Sequence, residues 1–432
     1  MRPERSPSVE TAPLPRKRSR WRQIVGPGLI TGASDDDPSG IATYSQAGAR
    51  FGFGVCWTLV VTYPLMSAVQ MISARIGRTT GHGIAGNLAR CYPRWLLVVM
   101  IALLVSANTI NIGADLGAMA DATALVFGGP VHVYLLAFAA FCALTEVFAS
   151  YKRYVGLLKW LTLALFAYVA TLFMVRVPWG EALNAIIVPP ISLEPAYVTM
   201  IVAVLGTTIS PYLFFWQASE EAEDATEDPD HEPLKCAPEE GPVELERIEL
   251  DTLVGMAFSN LVALAIMLTA AATLHAANIT NIETSADAAE ALRPIAGDYA
   301  TIIFALGIVG TGLLAVPVLA GSAAYALGEA VKRPVGLARK PKRAKTFYGT
   351  IVAATLVGAF INVTPIDPIE ALYWSAVING VVAVPVMVMM VFMAARRDIM
   401  GEFVIRGPLR WLGWLATLLM TGSVAVMALL SI

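Results

Sequence analysis

The sequence predicts an all-helical polytopic membrane protein with about eleven transmembrane helices. Two five-helix repeats of opposite orientation each begin with a broken helix. Hydrophobic residues make up 56% of the 432-residue chain, which is more than an average soluble domain contains. Apolar segments of about 20 residues, the length that crosses a bilayer, recur along the chain. Two of them are interrupted by polar residues and a proline.

The distribution of basic residues supports the number and orientation of the spans. The predicted spans, of which the first and sixth are interrupted, are 24–48, 54–74, 95–121, 132–150, 154–175, 196–217, 250–274, 298–327, 346–364, 370–394 and 410–431. With the N-terminus in the cytosol, 26 of the 30 Lys and Arg residues lie on the cytosolic side, as the positive-inside rule requires. An odd number of spans places the C-terminus outside. We expect a multi-pass protein of the cell inner (plasma) membrane.

The spans divide the chain into repeats and connecting segments. The predicted units are a basic cytosolic tail (1–23), a first repeat (24–175), an external loop (176–195), a second repeat (196–394), and a cytosolic loop with the eleventh helix (395–432). Residues 219–249 carry 13 acids and four prolines, a composition typical of disorder. We predict a disordered cytosolic loop there; the alternative is a surface that collects or senses cations.

Several functional classes find no support in the sequence. The four cysteines lack a CxxC spacing, so neither a disulfide framework nor a zinc site is indicated. No nucleophile–base pair or HExxH signature points to an enzyme. We expect membrane lipid around the protein, no nucleic-acid partner, and a monomer or weak oligomer.

The first interrupted span contains three consecutive acids, Asp35, Asp36 and Asp37, followed by Pro38. A charged side chain at bilayer depth costs roughly 2.5–3.5 kcal/mol on insertion scales, so such residues usually face a cavity and have a function. Proline breaks the helix, and broken helices build cation sites in many transporters. Asp37 is the preferred ligand because it precedes the break, and Asp36 is a candidate cavity residue. Because three adjacent carboxylates cannot all ionise cheaply, we expect one to be protonated or solvated in a vestibule.

The sixth span has a break of its own between Leu205 and Tyr212, which includes Gly206 and Pro211. The two prolines are 173 residues apart, and each lies in the opening helix of a five-span block. Paired interruptions in two inverted halves indicate a substrate site where the repeats meet. The alternative is a purely structural proline kink, since proline is common in membrane helices.

These residues resemble the Nramp family of divalent-metal transporters. The resemblance is strongest in Gly26-Pro-Gly-Leu-Ile30, Asp37-Pro-Ser-Gly40 and Gln46-Ala-Gly48. It implies the inverted-repeat fold shared with LeuT and the amino-acid permeases. It also implies that a divalent metal ion is the substrate and that no cofactor is needed.

The resemblance assigns roles to individual residues. Asp37 matches the family's metal-binding aspartate, while Ser34 and Thr207 match positions that offer backbone carbonyls. Ser210 stands where the family has a methionine ligand. Gly40 stands in place of an asparagine ligand and Tyr212 in place of a histidine, and both are candidate cavity residues.

These departures alter the expected ion preference. A thioether helps to select softer metals, and here it is replaced by the hydroxyl of Ser210. With Gly40 in place of an amide, the donor set is smaller and harder and has more space. Such a site suits a partly hydrated Mg²⁺ ion, and the pattern is similar to the magnesium-transporting branch of Nramp-related proteins. That branch is better described by an alanine than by a serine at the methionine position, and Mn²⁺ remains a candidate substrate.

Two further polar residues bear on coupling and on the cavity. Asp115, on the same helical face as Asn108 and Asn111, resembles the aspartate of the family's proton path. The glutamate that follows it in the family is Ala118 here, and the sixth-span histidine is absent. We therefore expect weak or no proton coupling; the alternative for Asn111 and Asp115 is helix–helix hydrogen bonding.

Asn379 in the tenth span either faces the cavity or packs against a neighbouring helix. Two other functions remain open. One is a proton-coupled Mn²⁺/Fe²⁺ importer of the ordinary Nramp type, and the other is a permease for amino acids or other organic substrates.

Overall fold

The computed structural model describes residues 27–148, 166–227, 232–363 and 367–431, whose regular structure is helical. The helices of the first half are α1 (Pro27–Asp35), α2 (Pro38–Phe51), α3 (Trp57–Thr80), α4 (Ile84–Cys91), α5 (Arg94–Phe127), α6 (Val131–Phe148), α7 (Phe166–Met174) and α8 (Trp179–Ile187). Those of the second half are α9 (Pro195–Thr208), α10 (Pro211–Glu227), α11 (Gly241–Ala270), α12 (Ser285–Glu290), α13 (Arg293–Ala296), α14 (Ala300–Ala330), α15 (Lys345–Ile361), α16 (Pro368–Ala395), α17 (Arg397–Met400) and α18 (Gly407–Leu430).

The prediction of an all-helical membrane protein with two broken spans is confirmed. Within the described ranges, eight helical segments are long and apolar enough to cross a membrane. The interrupted first span (α1 and α2), the described end of the fifth (α7) and the shorter apolar helix α15 match the remaining predicted segments. The basic tail 1–23 and residues 154–165 of the predicted fifth span lie outside the described residues.

Polar contacts and close helix approaches hold the spans together. On α5, the Asn108 amide donates to the Leu319 carbonyl oxygen at 2.9 Å and to Ser322 Oγ at 2.6 Å, both on α14. Gly206 of α9 packs so closely on α16 that a Cβ atom there would lie 2.5 Å from Gly380 N. Small residues permit such backbone approaches between membrane helices. The Asn108 contacts join the first repeat to the second, and the Gly206 contact joins two helices of the second repeat.

The prediction of disorder over residues 219–249 is wrong where the structure describes them. Helix α10 continues to Glu227 and α11 already begins at Gly241, while residues 228–231 lie outside the described ranges. Arg247 pairs with Glu221 at 2.5 Å and with Glu244 at 2.8 Å. Arg78, from the end of α3, pairs with Glu240 at 3.0 Å. Part of the local excess of acid is thus compensated by Arg247 of the same segment and by Arg78 from a distant part of the chain.

Candidate cation site at the paired helix breaks

The break in the first span is built around Asp37. Helix α1 ends at Asp35 and α2 begins at Pro38, because proline has no N–H to continue the helix but fits the first position of a new one. Asp37 is the N-cap of α2. Its Oδ1 accepts hydrogen bonds from Gly40 N at 2.7 Å and from Ser39 Oγ at 2.6 Å. This capping fixes the carboxylate at the helix break.

The second carboxylate oxygen of Asp37 connects the break to other spans. Oδ2 accepts a hydrogen bond from Asn111 Nδ2 on α5 at 3.1 Å, and Asn111 Oδ1 accepts one from Ser375 Oγ on α16 at 2.6 Å. Tyr212 Oη, at the start of α10, lies 3.4 Å from Asp37 Oδ2 and 3.0 Å from the Ser34 carbonyl oxygen. Since one hydroxyl carries one proton, the shorter contact to Ser34 is the principal hydrogen bond. The third and sixth spans therefore contact this carboxylate of the first span, and the tenth span is connected to it through Asn111.

The break in the sixth span is stabilised by Ser210. Helix α9 ends at Thr208 and α10 begins at Pro211. Ser210 Oγ donates to the Gly206 carbonyl oxygen at 2.6 Å and also lies 3.0 Å from the Thr207 carbonyl oxygen. It supplies part of the hydrogen bonding that is lost because Pro211 has no N–H. The predicted residues Thr207 and Ser210 thus lie together on the second break.

The two breaks lie directly against each other, and the space between them is closed. A Cβ atom added to Gly40 would lie 3.2 Å from Thr207 Oγ1 and 3.2 Å from Tyr44 Cε2. Asp37 is 1% exposed and Tyr212 0%. The expected extra space is not present in this conformation, because Thr207 and Tyr44 lie close to Gly40 and the Tyr212 hydroxyl lies 3.4 Å from Asp37 Oδ2.

Asp35 and Asp36 face a different helix from Asp37. Ser259 Oγ on α11 donates to Asp35 Oδ2 and lies 3.2 Å from Asp36 Oδ1. Both carboxylates are buried. Of the two alternatives expected for these acids, solvation in a vestibule is therefore not seen in this conformation, and protonation of one of them stays a prediction. Asp36, predicted to line the cavity, is instead turned towards α11, since successive side chains on a helix point about 100° apart.

Two predicted polar residues are buried without a hydrogen-bond partner among the described residues. Both carboxylate oxygens of Asp115 on α5 are in this state, and so are both amide atoms of Asn379 on α16. Asp115 lies one helical turn from Asn111, and Asn379 lies one turn from Ser375. The two residues therefore extend the faces that meet at Asp37. Unsatisfied buried polar groups call for an explanation in terms of function or an additional bound group.

The sequence alone does not predict the contacts made by Ser39, Ser375 and Ser259. Ser375 and Asn379 are spaced i, i+4 in a span that is otherwise mostly apolar, and that spacing alone could have suggested a shared polar face. The Ser259 contact leaves no comparable signal. A single serine in a membrane helix often bonds only to its own backbone.

A cavity of 510 Å³ approaches the breaks from the N-terminal end of α16. Its walls include Ala42, Gln46 and Arg50 of α2, Met200 of α9, and Glu370 and Tyr373 of α16. Asp367 also lines the cavity. Burial raises the pKa of its carboxyl, and the nearby Asp121 raises it further, while a hydrogen bond from the Ile369 N–H partly lowers it. Since Ala42 is four residues from Pro38, the cavity ends about one helical turn from the break.

A second cavity of 530 Å³ lies at the other end of the bundle, between α4, α10 and α14. Glu329 on α14 accepts hydrogen bonds from Gly83 N at 2.7 Å and Gly86 N at 2.8 Å. Glu223 on α10 accepts them from Leu337 N at 3.1 Å and Ala338 N at 2.8 Å. These two carboxylates hold the connecting segments that contain Gly83 and Leu337 against α14 and α10 at this end.

The oxygen atoms gathered at the breaks are those that hard divalent cations prefer. They comprise the carboxylate of Asp37, the backbone carbonyls of Ser34 and Thr207, and the hydroxyl of Ser210. The amide of Asn379 lies one helical turn from Ser375. Among the described residues, no group of three or more His, Cys, Asp or Glu side chains could hold a metal ion. A cation at the breaks would therefore depend on Asp37 together with neutral oxygens, an arrangement suited to transient rather than permanent binding.

Comparison with known proteins gives a consistent result. Residues 28–430 match the family described as Nramp, natural resistance-associated macrophage protein-like. The divalent metal cation transporter MntH of Deinococcus radiodurans is 24% identical over 93% of this chain and 88% of its own length. The protein of the same name from Burkholderia ambifaria is 27% identical over 92% of this chain and 87% of its own length.

Solved structures share the fold. A manganese transporter from Eremococcus coleocola superposes with a TM-score of 0.70 at 16% identity, covering 96% of this chain and 88% of that one. Mhp1, a nucleobase-cation-symport-1 family transporter in a closed conformation, gives a TM-score of 0.57 at 14% identity and covers 94% and 93% of the two chains.

Proposed function

The chain belongs to the Nramp family, and we propose that it carries divalent cations of the Mg²⁺ or Mn²⁺ class across the plasma membrane by alternating access, with weak or no proton coupling. Members of this family are transporters and not enzymes, and the metal ion is the substrate. The proposal needs no cofactor. The observation that carries it is the position of Asp37, a buried carboxylate at a helix break that contacts the third and sixth spans.

The proposed ligands are Asp37 and the backbone carbonyls of Ser34 and Thr207, with the hydroxyl of Ser210 nearby. All are oxygen donors, which suit Mg²⁺ and Mn²⁺. The relatives named as divalent metal cation transporters and the solved manganese transporter support keeping Mn²⁺ as a substrate. Because Ser210 replaces the methionine, the site lacks a thioether that would select softer metals, and this favours Mg²⁺. We therefore propose that both ions are carried.

Weak proton coupling is proposed from the groups around the site. Asp115 is the candidate proton-path carboxylate, and no described residue gives it a hydrogen bond. Ala118 stands one turn further along, and Tyr212 replaces the histidine expected on the sixth span. Without the family's glutamate and histidine at these two positions, protons lack a continuous set of carriers. The alternative is a proton-coupled Mn²⁺/Fe²⁺ importer of the ordinary Nramp type.

The proposed cycle moves the two breaks relative to the rest of the bundle. The cavity beside α16 would serve the outer face and the cavity beside α4 the inner face, in keeping with a cytosolic N-terminus and the distribution of basic residues. The first and sixth spans would then rock against the third, fourth, eighth and ninth. We further propose that the protein acts as a monomer or weak oligomer surrounded by lipid.

An organic-substrate permease is the second candidate function, because Mhp1 shares the fold. Asp37 caps the N-terminus of α2 at the first break, where such permeases offer a helix N-terminus to a substrate carboxylate. Its carboxylate, with Asp35 and Asp36 adjacent in the chain, would repel an anionic group. The geometry therefore supports a cation over an amino acid.

The test is to reconstitute the purified protein in liposomes and to measure uptake of Mg²⁺ and of Mn²⁺ with and without an imposed pH gradient. We expect both ions to enter down their concentration gradients at rates that the pH gradient leaves unchanged. A proton influx that tracks Mn²⁺ entry would overturn the proposed weak coupling. Uptake of amino acids without uptake of either metal would overturn the assignment to divalent cations.

A further inference from the structure

We propose that the hydroxyl of Tyr212 occupies the cation position when the site is empty and that its displacement sets the preference between Mn²⁺ and Mg²⁺. The inference rests on the proposed function, because it concerns the same site. It gives Tyr212 a role as a determinant of specificity.

The geometry places this hydroxyl between the two oxygens that a cation would need. Tyr212 Oη lies 3.0 Å from the Ser34 carbonyl oxygen and 3.4 Å from Asp37 Oδ2. A phenolic O–H presents one positive hydrogen, which the Ser34 carbonyl oxygen accepts in the absence of a metal, and the same hydroxyl lies beside Asp37 Oδ2. A metal ion that bound Ser34 and Asp37 directly would have to take the place of that hydrogen.

The tyrosine has little freedom to move away while the helices stay in place. Its side chain is 0% exposed and belongs to the main buried core. It follows Pro211 in the first turn of α10, whereas both of its acceptors belong to the break between α1 and α2. Displacement of the hydroxyl therefore needs either a rotamer change in a packed core or a movement of α10 relative to the first span. Ion binding would in this way favour rearrangement of the two breaks.

The hydroxyl of Tyr212 should affect the binding of Mg²⁺ and of Mn²⁺ to different extents. Mg²⁺ gives up its water ligands reluctantly and usually keeps several of them in protein sites. A hydrated ion can reach Asp37 through water and leave the bond between Tyr212 and Ser34 intact. An ion that loses water more readily gains more from direct contact with the carbonyl, and so it is penalised more when the hydroxyl occupies that carbonyl. Tyr212 therefore favours Mg²⁺ over Mn²⁺.

The test is the variant Tyr212→Phe, which removes the hydroxyl and keeps the ring. Binding of Mn²⁺ and Mg²⁺ to the purified protein would be measured by calorimetry, and uptake of each by proteoliposomes. Loss of one competing hydrogen bond should tighten Mn²⁺ binding by about three- to tenfold. Mg²⁺ binding should change less, so the Mn²⁺-to-Mg²⁺ ratio should rise in both assays.

The matched control is Tyr168→Phe, which removes the hydroxyl of another buried tyrosine, on α7, that takes part in none of the contacts described at the breaks. It should leave both affinities at the wild-type value. Equal affinities in wild type and Tyr212→Phe, or weaker binding of both ions in the variant, would overturn the inference. Wild-type protein that moves neither ion would instead overturn the proposed function, so the two failures are distinguishable.

If Tyr212→Phe does not fold, a structure of the wild-type protein with bound Mn²⁺ decides the matter. We expect Tyr212 Oη to lie beyond hydrogen-bonding distance of the Ser34 carbonyl oxygen and outside the coordination sphere. A hydroxyl that still binds Ser34, or that ligates the ion, would overturn the inference.

Discussion

At the scale of single residues, Asp37 caps a helix and at the same time presents a carboxylate oxygen to the neighbouring spans. Oδ1 is taken by the N-terminus of α2 through Gly40 N, which leaves Oδ2 towards Asn111 and Tyr212. A cap at a helix N-terminus also places negative charge where the helix dipole favours it. The same contacts therefore hold the carboxylate in place and make its charge tolerable in the membrane.

Ser210 gives a prediction at this scale. The variant Ser210→Met would put a thioether where a hydroxyl now bonds the carbonyls of Gly206 and Thr207. Since thioethers favour softer metals, uptake of Cd²⁺ and Mn²⁺ should rise relative to that of Mg²⁺, as measured in proteoliposomes. The variant Ser210→Ala, which loses the same hydrogen bonds but adds no sulfur, should leave the ratio unchanged. Identical ratios in Ser210→Met and Ser210→Ala would mean that this side chain does not face the ion.

Single residues also mark where prediction from sequence ends. An acid immediately before a helix-breaking proline is visible in the sequence, and the structure places Asp37 as the cap of that break. The contact between Tyr212 and Ser34 spans 178 positions and depends on how α10 packs against α1. The same holds for the direction of Asp36, which is decided by Ser259 on a distant helix.

At the scale of the helices, close approaches join the second repeat to itself and to the first. Gly206 lies against the backbone of α16 next to the second break. The side chain of Ser375 on α16 in turn bonds Asn111 on α5. A small residue on α9 thus brings the polar face of the tenth span close to the site.

The variant Gly206→Ala tests this approach. Its Cβ atom would clash with the Ala376 carbonyl oxygen and lie 2.5 Å from Gly380 N, so the two helices would have to separate. We expect a loss of about 1–3 kcal/mol in stability, typical of overpacking, seen as a lower melting temperature in detergent. The control Gly422→Ala, on α18 where nothing lies within 4 Å of the added atom, should keep or slightly raise the melting temperature. Equal melting temperatures for both variants would contradict this account.

The helices themselves could be predicted because hydropathy and span length are local properties of the sequence. The ordered segment around residues 219–249 could not be predicted in the same way. One of its acids, Glu240, pairs at 3.0 Å with Arg78. That arginine lies more than 140 residues before the segment in the chain. Composition counts charges along a segment, whereas order depends on which charges meet in space.

At the scale of the whole molecule, two cavities lie at opposite ends of the bundle, and Asp37 lines neither of them. The carboxylate is 1% exposed. This closed arrangement is the one that an alternating-access cycle would pass through between its two open states. In the proposed cycle, the hydroxyl of Tyr212 keeps the closed site satisfied when no ion is present.

The measurement that tests the account most directly is cation uptake by the variant Asp37→Asn. Asparagine caps helices about as well as aspartate, so the break should persist while the charge is removed. The control is Asp287→Asn, a change in the exposed capping box of α12. We predict that Asp37→Asn folds with a near-wild-type melting temperature but takes up neither Mg²⁺ nor Mn²⁺, whereas Asp287→Asn transports both. Uptake by Asp37→Asn at the wild-type rate would contradict the central claim that this carboxylate binds the transported ion.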